Sequence, residues 1–167
     1  SPIVPPIPGV ELEHVVSAVG MHEHMEEIGQ NVVILGGGLV GCEESIVLGG
    51  LGKNVTVLEM KPELCRDAPY LHHEAVLLEM ERLGVFTHTG TRCTEILPDG
   101  VLAEKDGRAI KMTADTVIIA AGLAPCLEEA ESFRSCAPEF WKIGDCKQAR
   151  NVRLAIHEGY DAGSYIE

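Results

Sequence analysis

The run Asn31–Gly41, NVVILGGGLVG, constrains this chain more than any other stretch. Asn31 to Leu35 is a short, β-branched apolar segment that stops at glycines, the pattern of a strand buried on both faces. Gly36-Gly37-Gly38 makes a turn, and Leu39 to Leu48 is long enough to be a helix. Gly36, Gly38 and Gly41 have the spacing GxGxxG. Gly36 permits the tight turn, Gly38 lets backbone approach a pyrophosphate, and Gly41 lets the helix pack close to the strand. A second buried strand, Asn54 to Leu58, ends at Glu59, about 20 residues beyond the glycines, where a ribose-binding carboxylate belongs. Strand, glycine turn, helix, strand and acid together predict a dinucleotide site, with the helix N-terminus offering its free N–H groups to the phosphates. Glu59 favours NAD over NADP, because it repels a 2′-phosphate; Lys61 and Arg66, just beyond, weaken that preference.

The rest of the chain fits an α/β fold. Pro69 to Leu83 carries apolar residues in helical register, and Val85 to His88 reads as a third strand. The period then shortens. Thr91–Leu97, Val101–Glu104 and Ala109–Met112 alternate and are separated by Asp99-Gly100 and Asp106-Gly107, the hairpin dipeptide. They predict a three-stranded meander. Thr116 to Ala120 is another buried strand, ending at Ala121-Gly122. A short strand over Trp141–Ile143, a turn at Gly144-Asp145 and a helix over Val152–Tyr165 complete the expectation. Before the glycine run, Ser1–Gly9 has four prolines and suits an extended connector, and Ala18–Ile28 suits a helix. The predicted fold is a Rossmann-like parallel sheet with a β-meander crossover, as in FAD/NAD(P)-binding domains.

Composition narrows the function. The 167 residues suffice for a real core, and the net charge of −13 argues against a nucleic-acid or anionic-membrane partner. No apolar run reaches the ~20 residues of a membrane span, and no secretory leader pattern is visible; the expected location is cytoplasmic. Six dispersed cysteines without a CxxC pair read as free thiols. His22, His24 and Glu26 lack metal-site spacing, and adjacent His72 and His73 cannot face one ligand. No metal ligand and no catalytic residue is assigned.

The stretches NVVILGGGLVGCEE, VTVLEM, TVIIAAGLAP and FWKIGDC, with the late run GDCKQARNVRLAIHEGYDAG, resemble the pyridine nucleotide–disulfide oxidoreductase fold. More closely they resemble the C-terminal part of Old Yellow Enzyme-like NADH:flavin oxidoreductases, such as 2-enoate and 2,4-dienoyl-CoA reductases. The resemblance implies that backbone at Gly36, Gly38, Leu39, Val40 and Gly41 holds NADH, with Glu59 and Met60 beside it and Ala121-Gly122 at a strand end. It implies that Glu43 lies near the nicotinamide, although an ordinary exposed helix acid reads the same. Gly144-Asp145 corresponds to the turn that holds the FAD ribityl chain; a plain turn aspartate is the alternative. Full members carry a flavin barrel with FMN, a cysteine cluster for an iron–sulfur centre and a first FAD glycine motif, none of which this sequence contains. Residues 1–29 then connect from a missing FAD half, 30–125 form the NAD(H)-binding domain, and 126–167 are a partial return into the FAD domain. The partners implied are the missing FAD half and flavin barrel of the same polypeptide and a small-molecule substrate. The implied activity is hydride delivery from NADH to FAD for reduction of an activated alkene. An FAD-linked NADH oxidase, a ferredoxin-type reductase or a non-catalytic NAD-sensing module remain as alternatives.

Overall fold

The structure is a computed structural model that describes residues 1–165. It divides into two compact units. One runs from Val4 to Gly122; the other joins Ser1–Ile3 to the residues from Leu123 onward.

The larger unit is built on a five-stranded parallel sheet of order β1-β8-β2-β3-β4. Its strands are β1 (Val15–Ser17), β2 (Asn31–Leu35), β3 (Asn54–Leu58), β4 (Phe86–His88) and β8 (Thr116–Ile119). Ile34 pairs with Val57 on one side and Ile118 on the other. Both faces are covered, which is why the central strands are apolar without alternation. Val32, Ile34, Val57 and Ile118 join a cluster with Cys42 and Leu48 of helix α1 (Leu39–Gly50) and Val76 and Met80 of helix α2 (Tyr70–Arg82). Val33, Leu35, Val117 and Ile119 point the opposite way, to a cluster with Cys93, Ile96, Val101 and Ala103. Those four come from the antiparallel meander β5 (Arg92–Leu97), β6 (Gly100–Lys105) and β7 (Arg108–Thr113). Helices thus pack on one face and the meander on the other, the predicted crossover included.

Three expectations are corrected. The connector and the linking segment belong to the sheet unit: β1 pairs in parallel with β8 at Val16–Ile118, and Ile7, Val10 and Leu12 pack against the meander cluster. Pro8 O accepts from Ile96 N–H at 2.8 Å, which fastens the proline segment to β5. The unit therefore begins at Val4 and not at residue 30, and it ends at Gly122 and not at 125. The helix expected over Ala18–Ile28 is a short 3₁₀ helix, Met21–Glu27, entered through left-handed Gly20 and broken at His24. Its seven residues have no side-chain cap, and such tight turns do not propagate. No strand forms at Trp141–Ile143 among the described residues; Lys142 instead pairs with Glu131 and Ile143 leads into a 3₁₀ turn.

In the smaller unit, Pro2 bridges Leu123 in antiparallel fashion. Helix α3 (Leu127–Ser132) follows, then the 3₁₀ turn Gly144–Cys146 and helix α4 (Val152–Tyr165). Glu158 of α4 accepts from Gly144 N–H at 2.7 Å, and also pairs with Lys147 and Arg150. Arg150 and the Gly144 amide hold its carboxyl down to about 2. Asn151 Oδ1 accepts from Leu154 N–H at 3.0 Å at the start of α4, and Trp141 stacks on Tyr165 with ring centres 6.1 Å apart.

Candidate functional site: a cleft at the carboxyl edge of the parallel sheet

From β2 the chain proceeds to β3 and β4 on one side, while β8 fills the other side. Loops leaving the carboxyl ends of β2 and β8 consequently diverge, and a crevice opens between them; ligands of open α/β sheets bind at such a point. The glycine turn, Glu59 and Ala120–Gly122 all sit at that edge.

The turn is shaped by close approach. Gly36 has φ +119, and a Cβ there would lie 2.4 Å from Ala120 O. A Cβ on Gly41 would lie 1.9 Å from Gly36 O, so only glycine lets α1 start against the turn. Gly38 differs: nothing lies within 4 Å of its Cβ position, so its bare backbone faces open space. Gly38 is also the N-cap of α1 and offers no side-chain cap. Its carbonyl accepts from Cys42 N–H at 3.1 Å. The amides of Leu39, Val40 and Gly41 precede that first helical bond and have no acceptor among the described residues, which leaves them for an anion.

Glu59 is fixed from four directions. Its N–H donates to His88 O and its carbonyl accepts from Thr91 N–H, both at 2.9 Å. Its carboxylate accepts from Gly37 N–H at 2.7 Å through Oε2 and from Lys61 N–H at 2.8 Å through Oε1. The carboxylate therefore ties the glycine turn to the end of β3. Each oxygen keeps acceptor capacity for a hydroxyl.

A cleft of about 320 Å³ joins these groups, within the range of small-molecule sites. Of the residues the sequence reading singled out, Gly36, Gly38, Glu59, Met60, Ala121 and Gly122 line it. Leu39 and Gly41 lie outside the lining: Leu39 packs against the helix-side core, and Gly41 abuts the Gly36 carbonyl. Val40 is exposed and outside the lining. Glu43 also lies outside: it is half-exposed and pairs with His72 Nε2 at 3.4 Å. Its neighbour Glu44 turns to His22 on another face. Gly144 and Asp145 belong to the smaller unit, where Asp145 lines a separate cavity of about 370 Å³ with Leu123, Cys126 and Phe133.

Sequence reasoning missed Pro5, Ile7, Thr91 and Cys93, which also line the cleft. The buried Thr91 follows left-handed Gly90 and holds Glu59 by its amide. A threonine between a glycine and a predicted strand was the one local signal; Pro5 and Ile7 arrive by tertiary packing alone.

Bare glycine backbone and a carboxylate in one cleft, with the unbonded amides of Leu39–Gly41 next in the chain, suit a pyrophosphate and a ribose diol, so the residues present fit NAD(H) by their donor chemistry. The fold and site define a dinucleotide-binding domain. The pattern of the pyridine nucleotide-disulphide oxidoreductases matches residues 1–159, and the chain belongs to that family. It is 30% identical over 165 residues to a bilirubin reductase of Mediterraneibacter gnavus, covering 98% of this chain and 26% of that protein. An NADH oxidase of Thermoanaerobacter brockii is 31% identical over 139 residues, 82% of this chain and 21% of its own. A solved 2-naphthoyl-CoA reductase in complex with 2-naphthoyl-CoA superposes with a TM-score of 0.92 at 30% identity, over all of this chain and 26% of that one. The chain spans about a quarter of the length of these relatives.

Proposed function

We propose that this chain is the NADH-binding domain of a larger flavin-dependent oxidoreductase that reduces an activated alkene or a related conjugated acid derivative. The observation that carries the reading is that Gly36 and Gly38 of the glycine turn and Glu59 line one cleft, with the unbonded amides of Leu39–Gly41 following directly from Gly38 in the chain. Gly38 and the amides of Leu39 and Val40 would hold the pyrophosphate. Glu59 would accept from the ribose hydroxyls and repel a 2′-phosphate. Ala121 and Gly122 would leave room for the cofactor where it passes the end of β8. The bound nicotinamide supplies the hydride; the residues of this chain bind and orient it. In the smaller unit Asp145 would contribute to the FAD site. FMN and an iron–sulfur cluster would belong to the remaining polypeptide, as in Old Yellow Enzyme-like members, and the enzyme would be cytoplasmic. Reductases among the relatives support the alkene-type acceptor. The NADH oxidase relative favours a second reading, in which the flavin passes its electrons to oxygen.

Calorimetric titration of this chain with NADH and NADPH tests the binding. Saturable NADH binding, at least about tenfold tighter than NADPH, is expected from the Glu59 repulsion. A folded sample that binds neither overturns the assignment of the cleft. In the full-length flavoprotein, rapid oxygen consumption with NADH alone would select the oxidase reading.

A further inference from the structure

Two cysteines that take no part in the proposed binding meet behind the glycine turn. Cys42 is on the first turn of α1 and Cys65 in the loop after β3; both are almost fully buried, at 0% and 1% exposure. Both address one atom: Cys42 Sγ–H donates to Gly37 O at 3.5 Å, and Cys65 N–H donates to the same oxygen at 2.8 Å. Cys65 adopts φ +48, a left-handed conformation uncommon outside glycine. The shared Gly37 oxygen brings the two cysteines together. The Cys65 side chain raises Cys42, with burial and the nearby Glu59 acting in the same direction, and the Cys42 side chain lowers Cys65. The proton thus stays on Cys42, and Cys65 is the sulfur that ionises first, the form that attacks a disulfide. Cys93, by contrast, lies in the cluster on the other face of the sheet, and burial pushes its thiol up.

Access comes from the loop. Lys61, Pro62 and Glu63 before Cys65, and Arg66 and Asp67 after it, are exposed; Leu64 and Cys65 alone anchor the segment inward. Local opening of such a loop costs far less than unfolding the sheet.

We propose that Cys42 and Cys65 are a redox pair that closes to an intramolecular disulfide, tying the loop after β3 to the first turn of α1 and thereby stiffening the glycine turn that both residues hold. The oxidant is a low-molecular-weight disulfide. Cys65 thiolate attacks one of its sulfurs, forming a mixed disulfide and releasing one small thiolate. The Cys42 sulfur then attacks Cys65, its proton leaving with the second small thiol. In sum, two protein thiols lose two hydrogens with their electrons, and one small disulfide becomes two thiols.

The test uses the full chain and a variant carrying Cys126→Ser, Cys136→Ser and Cys146→Ser, which removes the three exposed cysteines. Each is incubated folded with oxidised glutathione, quenched in acid, alkylated and mapped by mass spectrometry. The expected product has lost the mass of two hydrogens, yields a Cys42–Cys65 linked peptide and reverts with dithiothreitol. Recovery of both residues as alkylated thiols, arrest at a glutathione adduct, or a cross-link through Cys93 overturns the proposal. Amide hydrogen exchange over residues 36–42 reads the stiffening without any ligand. Exchange about tenfold slower in the oxidised form is expected, and equal rates in the two forms refute the coupling to the turn. Mapping on the full chain needs no replacement of either buried cysteine, so a folding failure of such a variant does not enter.

Discussion

Replacing Glu59 by alanine separates two roles that the geometry assigns to one carboxylate. Its Oε2 holds the Gly37 amide at 2.7 Å, and Gly37 is buried. Removing the acceptor leaves a buried N–H without a partner, which costs about 1–3 kcal/mol. The Lys61 amide, held at 2.8 Å, belongs to an exposed residue and regains water, so its loss adds about 0.5–1 kcal/mol. The unligated domain should therefore lose about 1.5–4 kcal/mol. Ligand binding should suffer separately. A hydrogen bond between a carboxylate and a ribose hydroxyl is worth about 1.5–3 kcal/mol, so NADH affinity should fall by roughly 10–150-fold in the folded variant. Urea unfolding followed by circular dichroism measures the first effect, and calorimetric titration of the folded protein the second. Glu59→Gln, which keeps one acceptor oxygen, should fall between the parent and Glu59→Ala in both. A Glu59→Ala protein within about 0.5 kcal/mol of the parent would refute the clamp. A destabilised protein that keeps its NADH affinity would refute the ribose contact and leave Glu59 a structural residue.

The glycines offer a contrast of sign. Gly41→Ala sets a methyl 1.9 Å from the Gly36 carbonyl oxygen, a backbone atom, and should cost about 3 kcal/mol or more in the same unfolding assay. Gly38→Ala meets nothing within 4 Å at an ordinary φ of −69°; it should leave stability within about 0.5 kcal/mol yet weaken NADH binding about tenfold or more, because its methyl faces the cleft. In the smaller unit, the Glu158 carboxyl is held near 2 by Arg150 and the Gly144 amide, below its ordinary 4.5. Its contribution is present above 4.5 and is lost as pH falls from there through 2, since the unfolded chain binds the proton first. Fluorescence of Trp141, stacked on α4, should stay level from pH 7 to about 4.5 and change below it. Glu158→Gln should weaken that acid transition without abolishing it, because Glu131, held down by Arg134 and Lys142, titrates in the same window.

The legible parts of the fold were those whose local chemistry leaves one solution. VVIL of β2 and VII of β8 are apolar without alternation because each strand lies between neighbours with both faces covered; β3, NVTVL, keeps Val55, Val57 and Leu58 buried with Thr56 half-buried between them. The meander announced itself through Asp99-Gly100, whose glycine opens β6, and Asp106-Gly107, which lies between β6 and β7. β1 was not legible. Val15–Ser17 is three residues at a sheet edge, half-buried throughout, and its identity comes from β8 beside it and not from its own pattern. The same distinction runs through the site. Glycines and Glu59 are readable because each answers a constraint of its own: a turn, a close approach, a charge at a strand end. Thr91, Ile7 and Pro5 enter the cleft because the meander and the proline segment pack against the sheet, and no local rule specifies which of their residues arrives there. Cys42 and Cys65 make the point most sharply. In sequence they are two dispersed thiols without a redox motif, yet both converge on the Gly37 carbonyl because α1 and the loop after β3 start from adjacent strands of one sheet. A parallel sheet brings the ends of its strands together at one edge whatever their spacing in the chain, so chemistry assembled there has no sequence signature beyond the strands that deliver it.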